Sequence, residues 1–408
     1  MRFGGGLGAL VAVRVALMDA PAAIVWDSAL LGYDLGGEHP LHPIRLELTI
    51  RLAKALGVLD GVELLVPEEA PEAEIERIHD AGYVSAVREA PMAGWDVGHG
   101  LGTPDNPIFD RMHEASAMVV GSSLLAAKQI ASGATKRAAS IAGGLHHAMR
   151  DRAAGFCVYN DTAIAISWLL ENGFERIAYL DTDVHHGDGV QDAFYNDPRV
   201  LTISLHQNPL TLFPGTGFAD EVGGPGAEGM AVNVALPPYT NDRAWFRAFH
   251  AVVPSLLQAF RPQLLVSQCG VDTHDEDPLA SLSLSVDGHR QIYRTVRELA
   301  EQYARGNWLA CGGGGYQLLR VVPRSWTHLL ATMLDREVDP ATTIPREWTD
   351  FVDTIASGAE LPAAMTDKKS TDFDPWDGTV DERVDSTIRD TRRAVFPLHG
   401  LDPDDPRD

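Results

Sequence analysis

Positive charge is scarce in this chain. Lys and Arg number 33 against 57 Asp and Glu, a formal net charge of -24 over 408 residues. A surface of that sign repels phosphates and argues against nucleic-acid binding. It reads first as a device for solubility, and second as an attraction for a cationic partner such as a lysine-bearing segment. Cysteine is scarcer still: Cys157, Cys269 and Cys311 are far apart and form no C-x-x-C pair. That argues against a disulfide framework and a thiolate zinc site, and fits a reducing cytoplasm. No apolar run is long enough to span a membrane. The short apolar stretch within residues 1–18 is interrupted by Arg14 and lacks a small-residue cleavage site. It reads as a disordered or spurious N-terminal extension rather than a signal peptide.

Two apolar periods alternate along the rest of the chain. Leu46, Ile50, Ala53 and Leu56 repeat at helical spacing, as do residues within 113–131. Helices are predicted at 160–171, opening near Asn160 or Asp161 and stopping at Gly173, and at 241–260, 287–304 and 318–334. Pro254 should end or bend the second of these. Between them lie short apolar runs at 138–143, 176–181, 199–205, 263–269 and 307–311. Strands buried on both faces read this way, and their alternation with helices predicts a parallel sheet covered by helices. From about residue 346 the composition turns acidic and proline-containing, predicting a partly ordered acidic C-terminal extension over 346–408. The catalytic unit is then 19–345.

The polar residues collect just after the predicted strands, where an open α/β sheet binds ligands. In LDTDVHHGDG (180–189), an extended backbone would let Asp181, Asp183 and His185 face one point. Carboxylates and an imidazole crowded together need a cation. Asp272, after another strand, can add one oxygen. Two aspartates and a histidine leave coordination positions open, as catalytic sites do. Zinc suits the mixed donors, with ferrous iron, cobalt and manganese left open by ligand type. His146 and His147 stand in GGLHHA, and histidine is the side chain best suited to proton transfer near neutral pH. Each needs an orienting carboxylate, for which Asp181 and Asp188 are the candidates. In CGGGGY (311–316) four glycines allow backbone to approach a site, and Tyr316 can offer its hydroxyl to a developing oxyanion. No Lys-Ser/Thr follows, which disfavours a phosphate loop.

Taken together, these segments resemble the histone deacetylase family, class I-like, and within it the bacterial acetoin-utilisation branch. The resemblance rests on GEHPLHPIRLELT (37–49), GGLHHAMRDRAAGFCVYND (143–161), YLDTDVHHGDGVQDAFY (179–195), ISLHQNPLTLFPGTG (203–217), GVDTHDEDPLASLSLS (270–285) and CGGGGY, and covers roughly 24–335. It implies an arginase/deacetylase-like three-layer α/β sandwich around a mainly parallel eight-stranded sheet. It implies metal ligation by Asp183, His185 and Asp272, and tandem histidines His146 and His147 paired with Asp181 and Asp188. His147 is then the general base and acid, His146 an electrostatic partner, and Tyr316 the oxyanion donor. Gly155, Phe156, Phe213 and Leu279 would line the lysine tunnel, Asp105 would hold the substrate backbone at its rim, and Arg45 would lie behind the metal near an acetate exit. A potassium ion would sit among Asp181, Asp183, His185, Ser204 and Leu205.

The activity implied is metal-dependent, zinc being first choice, hydrolysis of acetyl-lysine in proteins or peptides. Acetyl-CoA synthetase is one substrate that the acetoin-utilisation branch suggests. An acetylpolyamine or other small-acylamide hydrolase is the alternative. The apolar Leu279 disfavours it, because polyamine-selective relatives carry an acidic gate there. A non-catalytic acetyl-group sensor is the remaining alternative, disfavoured because every chemically required residue is present.

Overall fold

A computed structural model describes residues 22–93 and 98–408; the extension read at 1–18 lies outside the described residues. Eight strands form one sheet: β1 (Ala23–Val25), β2 (Leu64–Leu65), β3 (Arg137–Ser140), β4 (Ile177–Asp181), β5 (Val200–Gln207), β6 (Ala231–Leu236), β7 (Leu264–Gln268) and β8 (Trp308–Cys311). Their order is β2-β1-β3-β8-β7-β4-β5-β6 and every pairing is parallel. All strands therefore end at one edge.

Both faces of the sheet are covered. Along β4, Ala178 and Leu180 join one apolar cluster while Ile177 and Tyr179 join the other. Alternation in a strand thus feeds two cores, which is why the sequence shows nearly continuous apolar runs. Helices Met112–Ala131 and Asp161–Glu171 supply Ala127, Ile130, Ile166 and Leu169 to one side. Helices Asp242–Phe260, Val286–Tyr303 and Val322–Met333 supply Phe249, Val296 and Leu329 to the other.

The five predicted strands correspond to β3, β4, β5, β7 and β8. The remaining three went unread for local reasons. β1 and β2 are too short to show a period, and β6 (AVNVAL) carries a fully buried polar residue. That residue, Asn233, donates through Nδ2 to Gln191 Oε1 at 2.8 Å and to the Glu221 carbonyl at 3.1 Å. Pro254 does not end its helix, which runs on to Phe260. A proline forfeits one hydrogen bond, whereas Val252, Val253, Leu256 and Leu257 around it are all fully buried.

Residues 346–408 wrap onto the same unit. Helices Arg346–Ile355 and Arg383–Val395 bury Trp348 and Ile388. The Trp348 indole donates to the Leu48 carbonyl at 2.9 Å, and Arg247 Nε donates to Asp385 at 2.6 Å. Asp367 receives Arg324 Nη1 at 2.8 Å, His274 Nε2 at 2.9 Å and the Val286 amide at 2.8 Å. Among the described residues no helix is long and apolar enough to cross a membrane.

Candidate active site

At the C-terminal edge of the sheet, β4 gives way to a bend that carries Asp183 and His185. The His185 ring Nδ1 lies 3.2 Å from Asp183 Oδ1 and 3.1 Å from Asp272 Oδ2. One donor atom from each of Asp183, His185 and Asp272 falls within 4.8 Å of the others, and all three residues are buried. The spare carboxylate oxygens are tied back to the main chain. Asp272 Oδ1 accepts from the Val184 amide at 2.9 Å and Asp183 Oδ2 from the Gly314 amide at 2.7 Å.

Electrostatics is consistent with this trio holding a cation. Burial and the neighbouring charge of Asp183 push the Asp272 carboxyl up. Burial opposes a charge on His185, but Asp183 and Asp272 outweigh it and hold the imidazole at about 10. A ligand histidine must be neutral and its carboxylates ionised. A divalent ion supplies the charge that makes all three forms compatible, so the donor set fits one. Three protein ligands leave positions open for small molecules.

Asp181 does not join that group. Its carboxylate accepts from the Tyr179 hydroxyl at 2.6 Å, from His146 Nδ1 at 2.8 Å and from the Asp183 amide at 3.0 Å. The expectation that Asp181, Asp183 and His185 face one point assumed an extended backbone through all three. The strand stops at Asp181 and the chain bends at 183–185, so the two-residue alternation fails there.

His146 and His147 are each oriented by a carboxylate. His147 Nδ1 donates to Asp188 Oδ1 at 2.6 Å, and the two Nε2 atoms are 3.1 Å apart. Burial disfavours charge on both rings. For His146 the surrounding Asp181, Asp183 and Asp188 prevail and hold it at about 9; for His147 burial and the charge of His146 bring it to about 4. The surroundings thereby favour charge on one ring and oppose it on its neighbour. The loop before them is pinned by Asp161, which accepts from the Gly144 and Leu145 amides. Gly187 is required by close approach: a Cβ there would collide with the Asp181 carboxylate.

The glycine run after β8 passes beneath the trio. Gly313 and Gly315 have φ of 126° and 151°. A side chain on Gly314 would strike the Asp272 carboxylate. Buried Arg45 braces this turn by donating Nη1 to the carbonyls of Gly313 at 2.8 Å and Gly315 at 3.1 Å, with its guanidinium 5.0 Å from the Trp326 ring centroid. Tyr316 is anchored by its amide, which donates to Asp277 Oδ2 at 2.9 Å. Burial and the charges of Asp272 and Asp183 raise the Tyr316 phenol, so it stays a proton-bearing donor at neutral pH.

Apolar walls stand over these groups. The Phe213 ring is 5.0 Å from His147 and 6.4 Å from His185, and Phe156 is 5.7 Å from Tyr316. A Cβ on Gly155 would come within 2.5 Å of His147 Cδ2 and 2.8 Å of Phe213 Cε1. Leu279 is half-buried, its amide on Asp277 Oδ1 at 3.0 Å. Asp105 is exposed. Its carbonyl meets His39 Nε2 at 3.3 Å, and the His39 ring lies 4.5 Å from Phe156. Ser204 pairs in register with Asp181 on the adjacent strand, next to Leu205, and its hydroxyl bonds His206 Nδ1 at 2.8 Å.

Three structural contributors went unread in the sequence: Asp277, Asp161 and Gln268, whose Nε2 donates to the Gly144 carbonyl at 2.7 Å. Gln268 had a usable signal, being a polar residue at the end of an apolar strand. Asp161 and Asp277 lie in segments singled out in the sequence, but their contacts with the Gly144–Leu145 and Tyr316 amides join separate loops and could not be read locally.

The histone deacetylase domain model matches residues 39–333. The chain belongs to the histone deacetylase family. This deacetylase is 39% identical over 327 residues to the acetoin utilization protein AcuC of Bacillus subtilis, covering 79% of this chain and 84% of that protein. It is 36% identical over 324 residues to AcuC of Staphylococcus xylosus, covering 78% and 84%. The crystal structure of an HDAC homologue complexed with SAHA shares its fold with a TM-score of 0.79 and 29% identity, over 91% of this chain and 99% of that one. An HDAC homologue from Aquifex aeolicus gives 0.79 and 28% over the same shares. The fold is thus the arginase/deacetylase-like α/β sandwich, and the chemistry is that of a deacetylase-family hydrolase.

Proposed function

We propose that this deacetylase hydrolyses the acetyl amide of acetyl-lysine in a protein or peptide. The observation that carries the reading is the pair of His–Asp contacts, His147–Asp188 and His146–Asp181, set against the buried Asp183, His185 and Asp272. Those three would hold the divalent ion, zinc by preference, with ferrous iron, cobalt or manganese as substitutes. When bound, such an ion polarises an acyl oxygen and brings the pKa of water down toward neutrality.

The chain's own residues do the rest. Neutral His147, steered by Asp188, takes a proton from the water that attacks the acyl carbon. The Tyr316 hydroxyl donates to the oxygen that gains negative charge. Cationic His146 stabilises that charge electrostatically and keeps the His147 proton available. His147 then gives its proton to the departing lysine amine as the C–N bond breaks, leaving acetate and lysine. Gly155, Phe156 and Phe213 would wall a narrow apolar channel suited to a neutral acylated side chain, with Leu279 and Asp105 at its mouth. Arg45 would line the way out for acetate. Asp181, Asp183, His185, Ser204 and Leu205 would hold a potassium ion that stiffens the loop.

Turnover of an acetyl-lysine peptide and of acetylputrescine by the purified protein, before and after chelation, tests the reading. Preferred cleavage of the peptide, lost on chelation and restored by zinc, is expected. Preference for acetylputrescine would assign a small-acylamide hydrolase instead, and activity that survives complete metal removal would overturn the mechanism.

A further inference from the structure

Away from the sheet edge that holds the site, arginines gather in a protein whose overall charge is -24. Arg290, Arg294 and Arg297 recur at helical spacing along Val286–Tyr303, so they share one face. Together with Arg336 they line a cleft of 190 Å³ against the end of helix Val322–Met333, where His328 and Thr332 form part of its wall.

The carboxylates nearby do not balance these four guanidinium groups. Arg297 is matched by Glu301 at 2.9 Å and shares Asp335 with Arg137, which leaves Arg290, Arg294 and Arg336 to be accounted for. Glu337 faces Arg294 at 3.4 Å with 74% of its side chain exposed, a weak contact in water. Arg336 donates to the Gly57 and Val58 carbonyls, which are neutral acceptors and leave its charge uncompensated. The Arg290 side chain has no hydrogen bond or ion pair among the described residues. Buried His328 gives its Nε2 proton to the Met365 carbonyl at 2.9 Å; burial, with Arg290 nearby, keeps it at about 4, so the wall beside Arg290 is neutral. A half-buried cleft whose four guanidinium groups outnumber its two lining carboxylates, Asp335 and Glu337, is a receptor for an oxyanion.

Size narrows the ligand. Pockets for drug-sized molecules run to about 300–1,000 Å³, so 190 Å³ suits a phosphate-sized group rather than a whole nucleotide. We infer that this cleft binds a phosphate-class dianion, either free or as the phosphoryl end of a small metabolite, between Arg290 and Arg294 on one helix and Arg336 beyond the next. The two helices are already joined by His289 Nδ1 and the Ser325 hydroxyl at 2.8 Å. An anion would clamp them further, so binding reads out as stability.

The test uses the full-length protein at constant ionic strength, titrated separately with inorganic phosphate and with glycerol 3-phosphate, with chloride as the reference. A saturable rise in thermal midpoint of about 2–4 °C is expected. A rise with inorganic phosphate alone assigns the free anion; a rise with both assigns a phosphoryl group on a small carrier. The rise should vanish in the Arg290→Gln/Arg294→Gln double variant, whose deacetylase turnover stays near that of the parent. No saturable rise with either ligand, or an equal rise in the double variant, would overturn the site. Should the double variant fail to fold, crystals of the unaltered protein grown with selenate decide the matter: anomalous density between Arg290 and Arg294 supports the site, and density only elsewhere or none refutes it.

Discussion

The Nε2 atoms of His146 and His147 are 3.1 Å apart, yet their surroundings drive the two rings in opposite directions, to about 9 and about 4. In the proposed mechanism these adjacent residues would divide one task, the first carrying charge and the second taking a proton. His147→Ala should therefore lower kcat by on the order of 10²–10⁴, the usual worth of a general base. Asp188→Asn should fall short of that loss, because the ring remains but loses its orienting anion. Steady-state kinetics on an acetyl-lysine peptide would check both, and a His147→Ala enzyme with parental kcat would remove this residue from proton transfer.

Tyr316 reaches the site on a backbone held by Asp277. Tyr316→Phe removes only the hydroxyl, so metal content and KM should hold while kcat drops about 10²–10³-fold. Asp277→Ala should also lower kcat, through displacement of the loop. Elemental analysis alongside kinetics separates loss of the donor from loss of the ion.

Gly314 is a sharper probe of the trio than any ligand substitution. Its missing side chain is the space that the Asp272 carboxylate occupies. Gly314→Ala should push Asp272 aside and weaken metal affinity about 10–100-fold, as loss of supporting contacts does elsewhere. Competition with a chromogenic chelator measures this directly, and unchanged affinity would mean that the loop gives way instead.

Asp367 predicts how acid unfolds the protein. Burial alone would raise its pKa, but His274, Arg324 and the Val286 amide outweigh burial and hold it below the usual carboxylate range. Its folded value lies under the unfolded one of about 3.9. The stability it contributes is therefore complete above about pH 4 and is lost as pH falls below that. Asp367→Asn should cost about 1–3 kcal/mol at pH 7 and show a shallower decline in thermal midpoint from pH 5 to pH 2. Parallel declines in the two proteins would show that other carboxylates govern the acid limb.

The strand ends and the chemistry placed on them were legible in the chain itself. Apolar runs such as 176–181 and 263–269 have the length and continuity of strands covered on both sides, and Asp183, His185, Asp272 and Tyr316 follow such runs directly. Periodicity could not reveal β6, because the partners of the Asn233 Nδ2 donor, Gln191 and the Glu221 carbonyl, come from other parts of the chain. Nor could composition show that residues 346–408 are part of the packed unit: their acidity reads as solvation until Arg247 and Arg324 are seen to donate to Asp385 and Asp367. The residue types and their order specified which chemistry was available. The resemblance already paired Asp181 with His146, and the hydrogen-bond geometry agrees; what only the tertiary structure decided is that Asp181 turns away from the trio of Asp183, His185 and Asp272, because a bend after the last strand residue sets that direction and no local pattern encodes it. The arginine cleft is likewise tertiary: three of its arginines share a helix face, but which of them keep a carboxylate partner is decided by where the fold places Asp335, Glu337 and Arg336 around them.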